Sequence, residues 1–168
     1  MDLTKFYEDY ISRISTRSMT ISLRTANLIL RYLEQVNPRK IADVGSGFSS
    51  FVIAKWVNEN GGTLDVFDES PEWLRKTRLF LKGYGLNANF KDYKEFSSKD
   101  YQFIFFDICG DSRVEELKKL QYTNAFIILD DAHRKEYEEE LKRLGLNLIK
   151  LSTEADEYGR YCGIVKQE

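Results

Sequence analysis

Residues 41–50 read Ile-Ala-Asp-Val-Gly-Ser-Gly-Phe-Ser-Ser. The chain enters this stretch through Lys40 and the apolar Ile41, Ala42 and Val44, interrupted by one acid, Asp43. It leaves through a second apolar run, Phe51-Val52-Ile53-Ala54. An apolar run, a glycine turn and another apolar run read as a buried strand, a tight turn and a helix. Glycines let the backbone approach a ligand closely, and the helix N-terminus behind them favours negative charge. Asp43, at the end of the strand, can accept hydrogen bonds from a cationic or hydroxyl-bearing ligand. Such a turn also serves plain helix packing, so its weight comes from its surroundings.

Before the turn, residues 2–15 mix acids, aromatics, Ile11 and Ile14, which suits a short helix packed on the domain. Ser15, Thr16 and Ser18 offer N-cap side chains for a longer helix from Met19 to Gln35. Its apolar positions Ile21, Leu28, Ile29, Tyr32 and Leu33 share one face, and Asn37-Pro38 ends it. After the turn, strands are expected at Thr63–Phe67, Asn87–Phe90, Tyr101–Phe106 and Ala125–Leu129. Helices alternate with them: 48–57, 71–83 beginning at Ser70-Pro71, 113–120 and 134–144. The chain closes with strands at 147–151 and 160–166. Their short polar link allows only an antiparallel hairpin. Alternating strands and helices with continuously apolar strands predict an α/β fold, a doubly wound, mostly parallel seven-stranded sheet with helices on both faces. A single domain over residues 1–168 is expected, with 1–18 as an N-terminal helix or lid and 19–166 as the core.

Hydrophobic residues make up 42% of the 168 and charged residues 31%, which marks a globular chain. A formal net charge of −2 argues against a general electrostatic grip on nucleic acid. No run is long and apolar enough for a membrane span, and Met1–Lys5 begins no signal-peptide core. Cys109 and Cys162 lie far apart and read as free thiols in a reducing compartment, the cytoplasm. A single histidine, His133, excludes any site needing two His ligands.

The chemistry gathers at the strand ends. The first strand ends at Asp43, the second at Asp68-Glu69, the fourth at Asp107 and the fifth at Asp130-Asp131, while Asp92 follows the short third strand. In a parallel sheet these ends share one rim, where such folds bind ligands. Asp favours strand ends and caps anyway, which accounts for one or two of these acids better than for five. Asp68 lies 25 residues past Asp43. An acid about twenty residues beyond a glycine turn grips ribose hydroxyls in nucleotide-binding folds.

Together these segments resemble the class I S-adenosylmethionine-dependent methyltransferases. Ile41 through Gly47 is similar to the family's glycine motif. Asp68-Glu69-Ser70-Pro71-Glu72-Trp73-Leu74 resembles its second motif, and Tyr101 through Asp107 its fourth. The terminal hairpin matches the family's reversed last strand. The resemblance spans about residues 19–166 and implies S-adenosylmethionine as cofactor. It places Gly45, Ser46 and Gly47 along the methionine and ribose, Asp43 near the amino group, and Asp68 on the ribose diol with Glu69 beside it. Asp92 would meet the adenine amino group, with Tyr93 near the ring. Ser49 and Ser50 would reach the carboxylate, and Asp107 completes the cofactor set. The family often has a third glycine where this chain has Ser49, yet Gly-Phe-Ser is similar to the form in small-molecule O-methyltransferases. A nicotinamide-dinucleotide reductase competes, but its Gly-x-Gly-x-x-Gly would place Ser50 at the third glycine, and Asp43 suits a sulfonium better than a pyrophosphate. A scaffold that binds a nucleotide without catalysis is the other alternative.

Two acceptor sites are conceivable. In one, Asp107, Asp130 and Asp131 hold Mg²⁺ through carboxylate oxygens, as the likeness to catechol O-methyltransferase-like enzymes suggests, although those enzymes pair an acid with an amide at the fifth strand. In the other no metal binds, and Asp131 and His133 flank the acceptor, with His133 as base. Asp107-Ile108-Cys109-Gly110 lacks the prolines of the family's amino-methylating motif. The expected acceptor is therefore a small hydroxylated molecule rather than nucleic acid. Specificity is expected from residues 1–18, the Cys109–Arg113 loop and residues 152–158. A homo-oligomer stays open.

Overall fold

The computed structural model describes residues 2–108 and 113–167. Cys109 and the loop it opens, as far as Ser112, lie outside them. Seven strands form one sheet: β1 (Lys40–Val44), β2 (Thr63–Asp68), β3 (Asn89–Asp92), β4 (Phe103–Phe106), β5 (Phe126–Leu129), β6 (Leu146–Lys150) and β7 (Gly163–Gln167). Their spatial order is β3-β2-β1-β4-β5-β7-β6. The first five are parallel, and β7 inserts antiparallel between β5 and β6. This is the doubly wound sheet with a reversed hairpin that the sequence predicts. The order changes direction at β1 and β4, and the crevice above that switch point is where open α/β sheets bind ligands.

The pleat divides the core into two layers. Ile41, Leu64, Val66, Phe103, Phe105 and Ile128 face α2 (Leu23–Val36), α3 (Phe48–Asn60) and α4 (Pro71–Gly83). Their alternates, among them Ala42, Val44, Ile104, Phe106 and Leu129, face the short α5 (Arg113–Glu116), the 3₁₀ turn Leu117–Leu120 and α6 (Lys135–Arg143). Each fully buried Phe contributes roughly 1.5–3 kcal/mol relative to exposure, and Phe103, Phe105 and Phe106 follow almost without a gap in β4. Burial on both faces explains why that strand reads as an unbroken apolar run.

The N-terminal helix α1 (Thr4–Arg13) is anchored rather than loose. Its Phe6, Tyr7 and Tyr10 rings pack within 5.5 Å of Phe48, Phe51, Phe80 and Tyr84, mostly edge to face. Between it and α2 the sequence expectation needs correcting. Helix α2 does not begin after Ser15–Ser18. A 3₁₀ turn, Arg17–Met19, leads into extended backbone, and the N-cap is Ser22, whose Oγ accepts from the Thr25 N–H at 3.1 Å. All of these positions carry capping side chains, so composition does not choose between them. Long-range contacts do. Arg160, ahead of β7, donates to the carbonyls of Ser18 (2.9 Å) and Thr20 (3.4 Å) and holds the segment extended. Strand β3 runs two residues later than predicted, and β4 two residues shorter at its start. Tyr101, the residue left out of β4, instead donates its hydroxyl to the buried Asp65 at 2.7 Å. Asn37 ends α2 in the left-handed conformation, with φ 48°.

Candidate functional site

The strand ends meet as the parallel sheet requires. Gly45 N–H donates to the Phe67 carbonyl at the end of β2 at 2.8 Å, Asp107 N–H to Val44 at 2.6 Å, and Asp130 N–H to Phe106 at 3.0 Å. Above this rim lie two adjoining clefts. The first encloses about 900 Å³ with its mouth included, and the turn Gly45–Ser49, Asp68, Glu69, Trp73 and Asp107 line it. Tyr10, Ser15 and Met19–Ile21 cover it from the N-terminal side. The second, about 670 Å³ with its mouth, shares Met19–Ile21 and Asp107 with the first and adds Asp130, Asp131 and three arginines.

In the first cleft the glycine turn does two separate jobs. Gly45 has φ 101°, and a Cβ there would lie 2.6 Å from the Asp107 carbonyl carbon and closer still to its oxygen. Its missing side chain therefore lets the turn pass the end of β4, not a ligand. Gly47 has extended backbone, and a Cβ there would meet only the Tyr10 hydroxyl, at 3.7 Å. Its bareness keeps the cleft open.

The acids of this cleft are held by neutral donors. Asp68 accepts from the Ser46 N–H (2.8 Å) and Ser46 Oγ (2.6 Å) on one oxygen and from the Ser70 N–H (2.8 Å) on the other. Asp43 is wholly buried behind the turn and accepts from Ser49 Oγ at 3.0 Å and from Ser50 Oγ on the same oxygen, Oδ2. Its Oδ1 is buried with no partner among the described residues. Such an atom costs roughly 1–3 kcal/mol unless a ligand or water satisfies it. Burial pushes the Asp43 carboxyl up to about 7; the serine hydroxyls pull against this, and Asp68 nearby adds to it. A buried acid with a vacant acceptor and no cation beside it fits the ammonium and sulfonium ends of an S-adenosylmethionine-like molecule. Asp68 fits a diol. The residues of this cleft therefore fit the cofactor that the motifs imply.

In the second cleft the acids have a cation of their own. Arg113 Nη2 donates to Asp107 Oδ1 at 2.5 Å and Nη1 to Asp131 Oδ2 at 2.7 Å, while Nε donates to the Ile108 carbonyl. Burial disfavours the guanidinium charge, yet Asp107, Tyr137 and Asp131 hold its pKa above the ordinary arginine value. Burial, and then repulsion from Asp130, pushes the Asp107 carboxyl well up against the pull of Arg113; burial, and then repulsion from Asp131, pushes Asp130 up against the pull of the Cys162 thiol. Asp130 Oδ1 accepts from the buried Cys162 thiol at 3.1 Å. Of the three aspartates predicted as Mg²⁺ ligands, Asp107 and Asp131 thus meet on a guanidinium and Asp130 is held by the Cys162 thiol. Among the described residues no cluster of three or more His, Cys, Asp or Glu has a geometry for a metal ion. The donor set does not fit a divalent cation while Arg113 stands between its members.

Other expected positions fall elsewhere. Asp92 pairs in register with Asp68, but its carboxylate turns back to accept from its own Lys94 N–H at 2.8 Å, and it does not line the cleft. Tyr93 is buried in the second core layer, with its hydroxyl on Glu116 at 2.6 Å, and lines neither cleft. His133 lies outside both clefts, half-exposed, with Nδ1 3.8 Å from Asp131, beyond hydrogen-bond reach. Ser50 is turned inward to Asp43. Sequence reasoning does not single out Tyr10, Met19, Trp73 or Arg113. Only Arg113 carries a local signal, a basic residue six positions after a rim acid.

No family model matches the chain, and no curated protein matches it. Solved structures do match. An SAH-bound methyltransferase from Podospora anserina is 14% identical, with 99% of this chain and 87% of that one covered and a TM-score of 0.73. An O-methyltransferase from Bacillus cereus in complex with SAH is 14% identical, over 97% and 88%, with a TM-score of 0.74. An O-methyltransferase from Streptomyces achromogenes involved in tomaymycin synthesis, in complex with SAM, is 12% identical over 96% and 86%, with a TM-score of 0.69. At such identities the likeness establishes architecture, and the chain has the class I methyltransferase fold.

Proposed function

We propose that this chain is an S-adenosylmethionine-dependent methyltransferase acting on a small-molecule oxygen acceptor. The observation that carries this reading is a pair of acids at the first cleft. Asp68 lines it, held by backbone donors, and Asp43 is buried behind the turn that lines it, with one oxygen unpartnered among the described residues. A molecule with a ribose diol and two positive centres answers both.

When bound, the cofactor supplies an electrophilic methyl group on a sulfonium. The protein's part is to hold it and exclude water. Asp68 would accept from the two ribose hydroxyls, with Glu69 beside it and Trp73 on the same wall. Asp43 would face the amino group, directly or through one water. The N-terminus of α3, with Ser49, would meet the carboxylate. Met19 at the end of the 3₁₀ turn, Thr20 and Ile21 after it, and Tyr10 would close the outer side. Asp107 stands where the two clefts join, so the acceptor enters from the second cleft, beside Asp131. A nicotinamide dinucleotide fits less well, because its pyrophosphate would lie against Asp43 and Ser50 closes the place of a third glycine.

Calorimetric titration with S-adenosylhomocysteine tests this. Micromolar binding by the parent chain, lost in Asp68→Ala, is the expected result. Binding of NAD in place of S-adenosylhomocysteine, or of neither, overturns the reading.

A further inference from the structure

We propose, on the basis of the methyl-transfer reading, that the second cleft is an acceptor site built on a guanidinium in the place of a divalent cation, and that it takes a small acceptor whose reacting oxygen is already anionic, a phenolate or a carboxylate. The argument begins with Arg113. Its residue is 9% exposed, yet it lines the cleft. A guanidinium has five N–H donors. Among the described residues three are engaged, by Ile108, Asp131 and Asp107, and the other two are open to a ligand. The same two bonds that orient this cation engage one oxygen of each carboxylate, Asp107 Oδ1 and Asp131 Oδ2, and put a positive charge between the acids.

The rest of the cleft wall agrees with an anionic guest. Arg134 lines it with its side chain 46% exposed and is held only loosely, 3.6 Å from Asp131 and 3.9 Å from Glu136. Arg160 is differently employed: it is paired with Asp156 at 2.9 Å and ties down Ser18 and Thr20. The cleft therefore offers two cationic heads with unfilled donor capacity, Arg113 at its base and Arg134 at its mouth. Each of the three carboxylates already accepts a hydrogen bond from the protein, and His133 stands outside. None is an unengaged base over the acceptor. An oxygen that arrives deprotonated needs none. It forms the O–CH₃ bond as the C–S bond breaks with its electron pair on sulfur, so the sulfonium becomes a thioether and no proton has to leave. The neutral methylated product then loses its charge-assisted bonds to the arginines, which favours release.

Two titrations on protein loaded with S-adenosylhomocysteine decide this. In the first, Mn²⁺ is the probe, with free ion followed by paramagnetic resonance. The wild type is expected to leave Mn²⁺ free, and Arg113→Ala, which vacates the space between the aspartates, to take it up. Arg113→Lys keeps a cation between the buried acids should the alanine variant fail to fold, and it is expected to leave Mn²⁺ free. Uptake by the wild type that Asp131→Asn abolishes overturns the proposal, as does a folded Arg113→Ala that takes up none. In the second, benzoate and 4-nitrophenolate are compared with benzyl alcohol. Binding of at least one anion and not of the alcohol, weakened at least tenfold by Arg113→Lys and by Arg134→Gln, supports the site. Binding of none of the three, equal binding of the alcohol, or indifference to both arginine variants overturns it. The Mn²⁺ result can be repeated on unloaded protein, so failure to bind S-adenosylhomocysteine sinks the methyl-transfer reading without being mistaken for either result.

Discussion

The two clefts share a wall and a rim, but they treat their acids in opposite ways. Asp68 and Asp43 accept from backbone N–H groups and serine hydroxyls, and among the described residues no positive side chain is paired to them. Asp107 and Asp131 are bridged by one arginine. Neutral donors orient a carboxylate without cancelling its charge, so the first cleft keeps a negative field for a cationic guest. One guanidinium offsets one charge of the two it bridges, and Arg134 stands beside Asp131, so the second keeps cationic donors among its acids. One row of strand-end aspartates thereby becomes a site for a sulfonium and a site for an oxyanion, side by side, which is the arrangement a methyl transfer between them requires.

The comparison breaks most completely at the joint between the clefts. Gly45→Ala would force a Cβ into the Asp107 backbone at a positive φ. The expected cost is about 3 kcal/mol or more, a fall in melting temperature of roughly 6–12 °C. Gly47→Ala is the control: it should melt within about 2 °C of the wild type and lose S-adenosylhomocysteine affinity by crowding the cleft. Equal destabilisation by both variants, read by thermal denaturation, would deny the two glycines their separate jobs.

Next in size is Asp68→Ala. Two hydrogen bonds to a charged group, each worth about 1.5–3 kcal/mol, predict at least ~100-fold weaker S-adenosylhomocysteine binding. Calorimetry at constant salt reads it. A loss below tenfold would mean that the first cleft does not hold its guest through that acid.

Much of this was legible in the residues, and the exceptions share a cause. The sheet, its reversed hairpin and the rim of acids follow from apolar run lengths, glycine turns and the short link before Arg160, all local signals. Arg113 is a residue that local reading places at a helix start and at the end of the Cys109–Arg113 specificity loop, with no partner named. Its role depends on Asp131, 18 positions on, reaching it across the β4–β5 rim. Likewise Ser22 rather than Ser15–Ser18 caps α2 because Arg160, 142 positions after Ser18, holds that carbonyl. Asp92 shows the reverse error. The strand does bring it level with Asp68, but its carboxylate can reach the Lys94 N–H two residues on, and a local Asx turn wins. Backbone pattern predicts where a side chain starts; which partner it turns to is a tertiary question.

Asp43→Asn sharpens the contrast between a retained and an offset charge. With Asp43 at about 7 in the folded chain against 3.8 unfolded, the folded state holds this proton more tightly. Its contribution to stability is full below about pH 4 and is lost as pH rises through 7. The facing groups are the Ser49 and Ser50 hydroxyls and, at longer range, Asp68. The unliganded wild type should therefore lose melting temperature from pH 5 to 8 more than Asp43→Asn does. S-adenosylhomocysteine affinity should rise across pH 7 in the wild type, stay flat in the variant, and be about tenfold lower there at pH 8, the loss of one charge-assisted bond. Parallel profiles for the two proteins would show that Asp43 does not meet the guest's ammonium group.

The smallest effect on affinity tests whether the donors around Asp68 compete with the ligand or prepare for it. Ser46 gives that carboxylate both its N–H and its hydroxyl, on the same oxygen. Ser46→Ala removes the hydroxyl and keeps the N–H, so the carboxylate stays oriented from Ser46 and from Ser70. The lost bond, to a charged group, is worth about 1.5–3 kcal/mol to the empty protein, a fall of roughly 3–12 °C in melting temperature. If the ribose diol displaces that hydroxyl on binding, the variant gives up nothing the complex uses. It should then bind S-adenosylhomocysteine as well as the wild type or a few-fold better. A several-fold loss of affinity would mean that the hydroxyl stays on Asp68 in the complex. In that case the diol would take the oxygen that now accepts only from Ser70, and the charge left for the guest would be concentrated on that one atom.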